Sequence, residues 1–154
     1  MGAAFFYHLT GQPLERVLPM LLGKARGAGW RVEVRGRDAG RMAALDAALW
    51  LGPEEGFLPH GLAGGAHDAD QPILLTTGGG ADNAPACIMS VDGADVAAAE
   101  VQAMERVCVI FDGHDRDAVQ LARGQWKALT QAGCAAQYWA QDSGQWAMKA
   151  EAGG

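Results

Sequence analysis

Arg123, Trp126 and Lys127 stand at i, i+3 and i+4 in the run VQLARGQWKAL that covers residues 119–129. On a helix that spacing puts all three on one face, with Val119 one turn earlier and Thr130 one turn later. A guanidinium offers a planar fork to a carboxylate, an ammonium a point charge, and an indole an apolar wall. The set suits a small pocket for a peptide carboxylate and an aromatic side chain. The plainer alternative is an amphipathic helix whose Trp closes the core edge while Arg and Lys snorkel to water. A second group, Trp50-Leu51 and Phe57-Leu58-Pro59-His60, lies in and after a helix end, beside Glu54 and Glu55. Apolar side chains there either cover the core or form a protein interface with an acidic rim.

Other chemistries find less in the chain. Thr76–Gly80 (TTGGG) follows an apolar run, as a phosphate-binding loop should, but lacks both GK[ST] and GxGxxG. His60, His67, Asp68 and Asp70 have no helical HxxxH spacing and read as a solvated loop rather than a metal site. No GxSxG elbow occurs, and no Cys stands beside a base at a helix start. His114-Asp115 beside Asp112 reads as helix-capping chemistry.

The elements that must carry these residues alternate in type. Val107–Phe111 (VCVIF) is continuously apolar, as expected of a strand covered on both faces, and feeds a turn at Asp112–Asp115 and then the helix of Arg123. Within that helix, Ala118, Leu121, Ala122, Gln125 and Leu129 are expected to face the core. Earlier segments predict a strand at Ala3–Leu9, a helix over Gln12–Ala28 kinked or starting late at Pro19, and a strand at Trp30–Arg35. The charged face of that strand (Arg31, Glu33, Arg35) suggests a place near a sheet edge. Asp38 is expected to cap a helix Ala39–Leu51 with Met42, Leu45 and Leu49 inside. Residues 54–65 look irregular, Ile73–Thr77 and Ala86–Val91 look like strands, and Gly93–Glu105 like a helix. Ala135–Ala140 reads as a last strand, and Gln145–Lys149 as a terminal strand or hook. This alternation predicts one α/β domain over residues 1–154, three layers deep, around a largely parallel or mixed sheet.

The net charge of -6 on 154 residues opposes broad binding to nucleic acid, so any basic site must be local. Cys87, Cys108 and Cys134 form no CxxC pair and read as buried thiols of a reducing compartment. The N-terminus has no charged n-region, no apolar run reaches membrane-spanning length, and Phe6 stands where a myristoylation signal needs Ser or Thr. A cytoplasmic location is expected.

Two motifs then become specific. Leu45-Asp46-Ala47-Ala48-Leu49-Trp50, followed by Phe57-Leu58-Pro59-His60 and Leu62-Ala63-Gly64, resembles the LDEALW…FVPHNLAGE signature of the chi subunit of bacterial DNA polymerase III. Phe5-Phe6-Tyr7, Pro72–Leu75, Phe111, Leu121-Ala122-Arg123 and Trp126-Lys127 follow the family's remaining segments in order. The resemblance implies a Rossmann-like fold and a non-catalytic accessory subunit with no cofactor and no metal. It implies a site for the acidic, phenylalanine-ending tail of single-stranded DNA-binding protein on Arg123, Trp126 and Lys127, with Val119 alongside. It further implies a surface for the psi subunit of the clamp loader on Trp50, Phe57, Pro59 and His60. DNA would then be reached only through partners. Trp126 stands where a Tyr can occur in the family, and no residues are carried over for Tyr138–Lys149. The rival expectations are a nucleotide-binding α/β enzyme, for which Thr76–Gly80 is the local excuse, and a direct single-stranded DNA binder.

Overall fold

The computed structural model describes residues 2–51, 59–78, 81–142 and 145–153, without the side chain of Asp142. The elements run β1 (Ala3–Leu9), α1 (Leu14–Gly27), β2 (Val32–Arg35), α2 (Ala39–Trp50), β3 (Gly61–Leu62), β4 (Ile73–Thr76) and β5 (Cys87–Ser90). They continue with α3 (Ala98–Ala103), β6 (Arg106–Asp112), α4 (Arg116–Gln131), β7 (Ala135–Asp142) and β8 (Gln145–Ala152). The strands form one sheet in the order β3-β4-β2-β5-β6-β1-β7-β8, parallel throughout except for the antiparallel β7–β8 hairpin.

Helices cover both faces, so the interior strands are apolar on both sides. Val17, Leu18, Leu21 and Leu22 of α1 and Met42, Leu45 and Leu49 of α2 pack on one face, against Val32, Val34, Cys108 and Ile110. On the other face, Val101 of α3 and Ala122 and Leu129 of α4 pack against Phe6, Ile88, Val107 and Val109. The three-layer α/β fold with a mostly parallel sheet is the one expected. The three cysteines are buried free thiols.

Local differences have physical reasons. Pro19 sits inside one continuous α1. Asp38 caps α2 by accepting the Arg41 amide at 2.7 Å, a contact worth about 1 kcal/mol. β2 is not near an edge. It lies between β4 and β5, and its charged side chains are buried. Arg35 donates to both carboxylate oxygens of Glu33 at 3.0 Å, and to Glu100 at 2.9 and 2.6 Å. Thr76 donates to Glu33 at 2.7 Å, so these buried charges are paired and hydrogen-bonded. The same Arg35 holds the Asp95 carbonyl at 3.0 Å, while Ser90 and Gln125 take the Ala94 carbonyl. Carbonyls drawn outward in this way cannot serve a helix, so α3 begins only at Ala98 and not at Gly93.

The other surprise is at the edges. β3 is a two-residue strand in a stretch expected to be irregular, and β8 is a full eight-residue strand. Tyr138 pairs with Ala150 and Trp139 with Met148, which leaves Lys149 as the extra residue of a bulge. A bulge and a lysine on an outer strand discourage pairing with another chain. Trp146 of β8 packs edge-on against Tyr7 at 5.3 Å and closes the α1 side of the core.

Candidate protein-interaction site

Asp115 starts α4 by accepting the amides of Asp117 and Ala118, at 3.0 and 3.3 Å. This cap fixes the helical phase from Arg116 onward. At 100° per residue, Arg116, Arg123 and Lys127 then fall within about 40° of one another, and Val119 and Trp126 form the adjoining strip. All three cations are exposed, and they make no ion pair or side-chain hydrogen bond among the described residues. In an acidic protein, three unpaired cations in line on one helix favour an anionic partner.

Trp126 closes the core edge, as the plainer of the two sequence readings had it. It meets Phe6 edge-on at 5.3 Å and Tyr138 at 6.0 Å, and both it and Val119 pack on the second core cluster. Leu121 instead turns out to solvent, 36% exposed. The buried stripe of α4 is therefore rotated towards Trp126, which is a core-edge residue with one side open rather than a free wall. The concavity beside the cations lies towards the start of the helix. A shallow groove of about 530 Å³ is lined by Gly113, His114, Arg116, Val119, Gln120 and Arg123. Two of the expected residues line it, Val119 and Arg123; Trp126 and Lys127 lie one turn further on.

The groove's floor is held from below. His8 of β1 shares a 2.7 Å hydrogen bond between Nδ1 and the Tyr138 hydroxyl, and its ring lies 5.1 Å from that of Phe111. A side chain at Gly113 would strike the His8 ring, so only glycine lets the turn close over it. His114 donates through Nε2 to the Thr10 carbonyl at 2.7 Å, which orients its imidazole. Burial lowers the pKa of His8, with Arg123 and His114 adding to the shift and Asp112 opposing it. Arg116, His114, His8 and Tyr138 were missed in the sequence reading. Arg116 is hidden there between Asp115 and Asp117, and only the position of the cap brings it into line.

The second group is assembled differently. Trp50 ends α2 and is 51% exposed, with its indole 4.2 Å from the His60 ring at an interplanar angle of 30°. His60 itself is buried beneath it, and its Nε2 lies 3.2 Å from the Asp46 carbonyl and 3.3 Å from the Asp46 carboxylate. His60 is thus placed to support Trp50 from within. Leu51 and Pro59 are exposed close by in sequence, and Phe57 lies outside the described residues.

A larger crevice of about 670 Å³ opens at the carboxyl ends of β1 and β6, where their following helices leave to opposite faces. Ligands of open α/β sheets bind at such switch points. Here most of the donors that phosphate would need are already engaged, with Arg37 the exception among the cations that line the crevice. Asp115 occupies the first turn of α4, and the Gly11 and Gln12 amides donate to the side-chain Oε1 of Gln141 at 2.9 and 3.2 Å. Arg41, on the rim, is spent between Glu15 and Asp92. Thr76 is committed to Glu33, and Gly79 and Gly80 lie outside the described residues. No group of three or more His, Cys, Asp or Glu side chains among the described residues is placed to hold a metal. No helix is long and apolar enough to cross a membrane among the described residues.

Comparison with curated proteins gave no match. The family profile for the DNA polymerase III chi subunit, HolC, matches residues 1–137, from β1 into β7. With most of its length matched, the chain belongs to the family of DNA polymerase III chi subunits, accessory proteins of DNA replication.

Proposed function

We propose that this chain works as a non-catalytic adaptor in the clamp-loader complex, with α4 holding the acidic tail of single-stranded DNA-binding protein and the Trp50 surface holding a psi-type subunit. The observation that carries the reading is the exposed, unpaired Arg123–Lys127 pair beside the Val119–Trp126 strip, on a protein of net charge -6. A local cationic line of this kind selects an acidic peptide over bare nucleic acid, whose phosphates the rest of the surface repels. The engaged helix starts around the crevice argue in the same direction, against a nucleotide-binding enzyme. Trp50, broad, half-exposed and stacked on a buried His60, has the rigidity of an interface anchor.

One experiment separates the two surfaces. The tail peptide and a psi-type subunit are each titrated calorimetrically into the wild type, Arg123→Ala and Trp50→Ala. Arg123→Ala is expected to cost tail binding about 1–3 kcal/mol and leave psi capture intact, with Trp50→Ala doing the reverse. Unchanged tail affinity in Arg123→Ala sinks the α4 assignment.

A further inference from the structure

α4 packs on the sheet as far as β7, but on the opposite face the helical cover stops short. There α1 packs mainly on β2 and β6, and beyond it the sheet continues through β1 to β7 and β8. A strand of a parallel sheet is normally followed by a crossover helix that covers one face. β7 and β8 instead pair antiparallel with only residues 143 and 144 between them, so no helix of this chain follows β7. The strip from β1 to β8 is two strand spacings wide, about 10 Å, which is the width of one helix. Pairing sets Tyr7, Trp139 and Met148 side by side across it, and Trp146 stands on the same face against Tyr7. Met148 is 46% exposed, Trp139 and Trp146 are half-buried, and Gln137 holds the Trp139 indole N–H at 3.0 Å. The family match ends at residue 137, so most of this floor lies outside it.

The wall of the strip is the flank of α1 turned away from α2. Glu15 marks the α2 side, where it pairs with Arg41 at 2.8 Å. Arg16, Met20 and Lys24 follow one another at four-residue steps, about 100°, 140° and 180° round the helix from Glu15. All three are exposed, and neither cation makes an ion pair or side-chain hydrogen bond among the described residues. We propose that this open face of β1, β7 and β8 receives an amphipathic helix of a partner protein, apolar towards Trp139, Trp146 and Met148 and acidic towards Arg16 and Lys24. Trp, Tyr and Met are side chains that interfaces favour, and a helix laid beside α1 supplies the layer that the β7–β8 hairpin omits. Two unpaired cations on the wall of an acidic protein complement carboxylates on the near edge of that helix. The face is separate from both surfaces already described, since α4 lies across the sheet from it and Trp50 lies beyond α1 at the end of α2.

The probes are three synthetic peptides of about five helical turns. One has a leucine stripe with glutamate elsewhere, one has lysine in place of the glutamate, and one has the first composition with its stripe scrambled. Each is titrated into the isotope-labelled full-length chain at about 0.15 M salt, and the indole N–H signals of the five tryptophans report where it binds. The glutamate peptide should move the signals of Trp139 and Trp146 and leave those of Trp50 and Trp126 in place. Met148→Asp and Met20→Asp, both at exposed positions, should each weaken its binding about fivefold or more. Arg16→Glu combined with Lys24→Glu should reverse the preference for glutamate over lysine. Movement at Trp50 or Trp126 instead, equal affinity for the lysine or the scrambled peptide, or no saturable binding overturns the proposal. A dimer of the free chain that Met148→Asp dissociates in sedimentation equilibrium also overturns it, because a second copy is then the occupant.

Discussion

Arg35 and Arg123 are the same residue in opposite surroundings. Arg35 lies buried on β2, forked between Glu33 and Glu100, every direction of its guanidinium taken. Arg123 lies exposed on α4, beside two further cations and no carboxylate partner among the described residues. The first arrangement is a closed network that fixes α3 against the sheet and offers nothing to a ligand. The second leaves its charge unspent at the surface, which costs little in water and becomes favourable once an anion arrives. A charge in this protein therefore declares its role by its partners, more than by its type or by the element that carries it.

The comparison breaks most visibly at Arg35. Arg35→Met leaves Glu33 buried and facing Glu100 without a cation between them, and is expected to cost about 3–5 kcal/mol of stability by urea denaturation. Replacing Glu33 by Leu and Glu100 by Gln in the same chain should restore much of that loss, because the penalty comes from stranded charge. A cost below about 1 kcal/mol for Arg35→Met alone means that the network is not structural. Trp126 comes next, since it stands between the two classes. Trp126→Ala opens a space against Phe6 and Tyr138 and should lose about 2–4 kcal/mol of stability as well as tail affinity. Trp126→Phe should keep most of the stability, and its affinity then reports what the indole itself gives the peptide.

Acid separates the regions more gently. The hydrogen bonds from Arg35 hold the Glu100 carboxyl below its ordinary range, against the opposing effect of partial burial. A carboxylate whose pKa is lowered by folding contributes stability above its unfolded pKa, and that contribution fades as pH falls through the folded value. Unfolding midpoints followed downward from about pH 4.3 should therefore drop less steeply for Glu100→Gln than for the wild type. Identical slopes for the two proteins would remove Glu100 from the account.

Much of this architecture was legible in the residues, for reasons that also explain what was not. β6 was readable because Val107–Phe111 is apolar on both faces, which only a doubly covered strand requires. The caps at Asp38 and Asp115 were readable because the amides that donate to them lie within three residues. β2 was misplaced because its charges are satisfied by Glu100, 65 positions along the chain from Arg35, a distance local periodicity cannot see. Other long-range contacts, from Arg35 and Gln125 to the Asp95 and Ala94 carbonyls, shortened α3. On α4 the helix was plain and its rotation was not, since Leu121 and Trp126 are both apolar and only Phe6 and Tyr138 decide which turns inward. His60 read as a contact residue because its burial under Trp50 depends on how α2 meets the segment that follows it.

The smallest expected effect tests the join between the two regions. The His8 ring lies against Gly113, which lines the groove, and its basicity is held down first by burial, then by the positive fields of Arg123 and His114, against the pull of Asp112. Tyr138, on the far side, holds Nδ1 and leaves the ring nowhere to turn. When a carboxylate pairs with Arg123, its negative charge offsets the field that Arg123 casts on His8. The imidazole then becomes easier to protonate in the complex than in the free protein. By linkage, the complex takes up a fraction of a proton, and affinity rises as pH falls below about 6.5, the ordinary imidazole value under which His8 is held in the free protein. The gain should be about two- to threefold, since the charges interact across a solvated surface. Calorimetric titrations in phosphate and in Tris measure the uptake directly, because the two buffers release protons with different heats. His8→Gln should abolish the buffer dependence while keeping most of the affinity, and salt should diminish the dependence in the wild type. Equal proton uptake by His8→Gln and wild type would place the titrating group elsewhere, and the floor of the groove would then be structural, like Arg35.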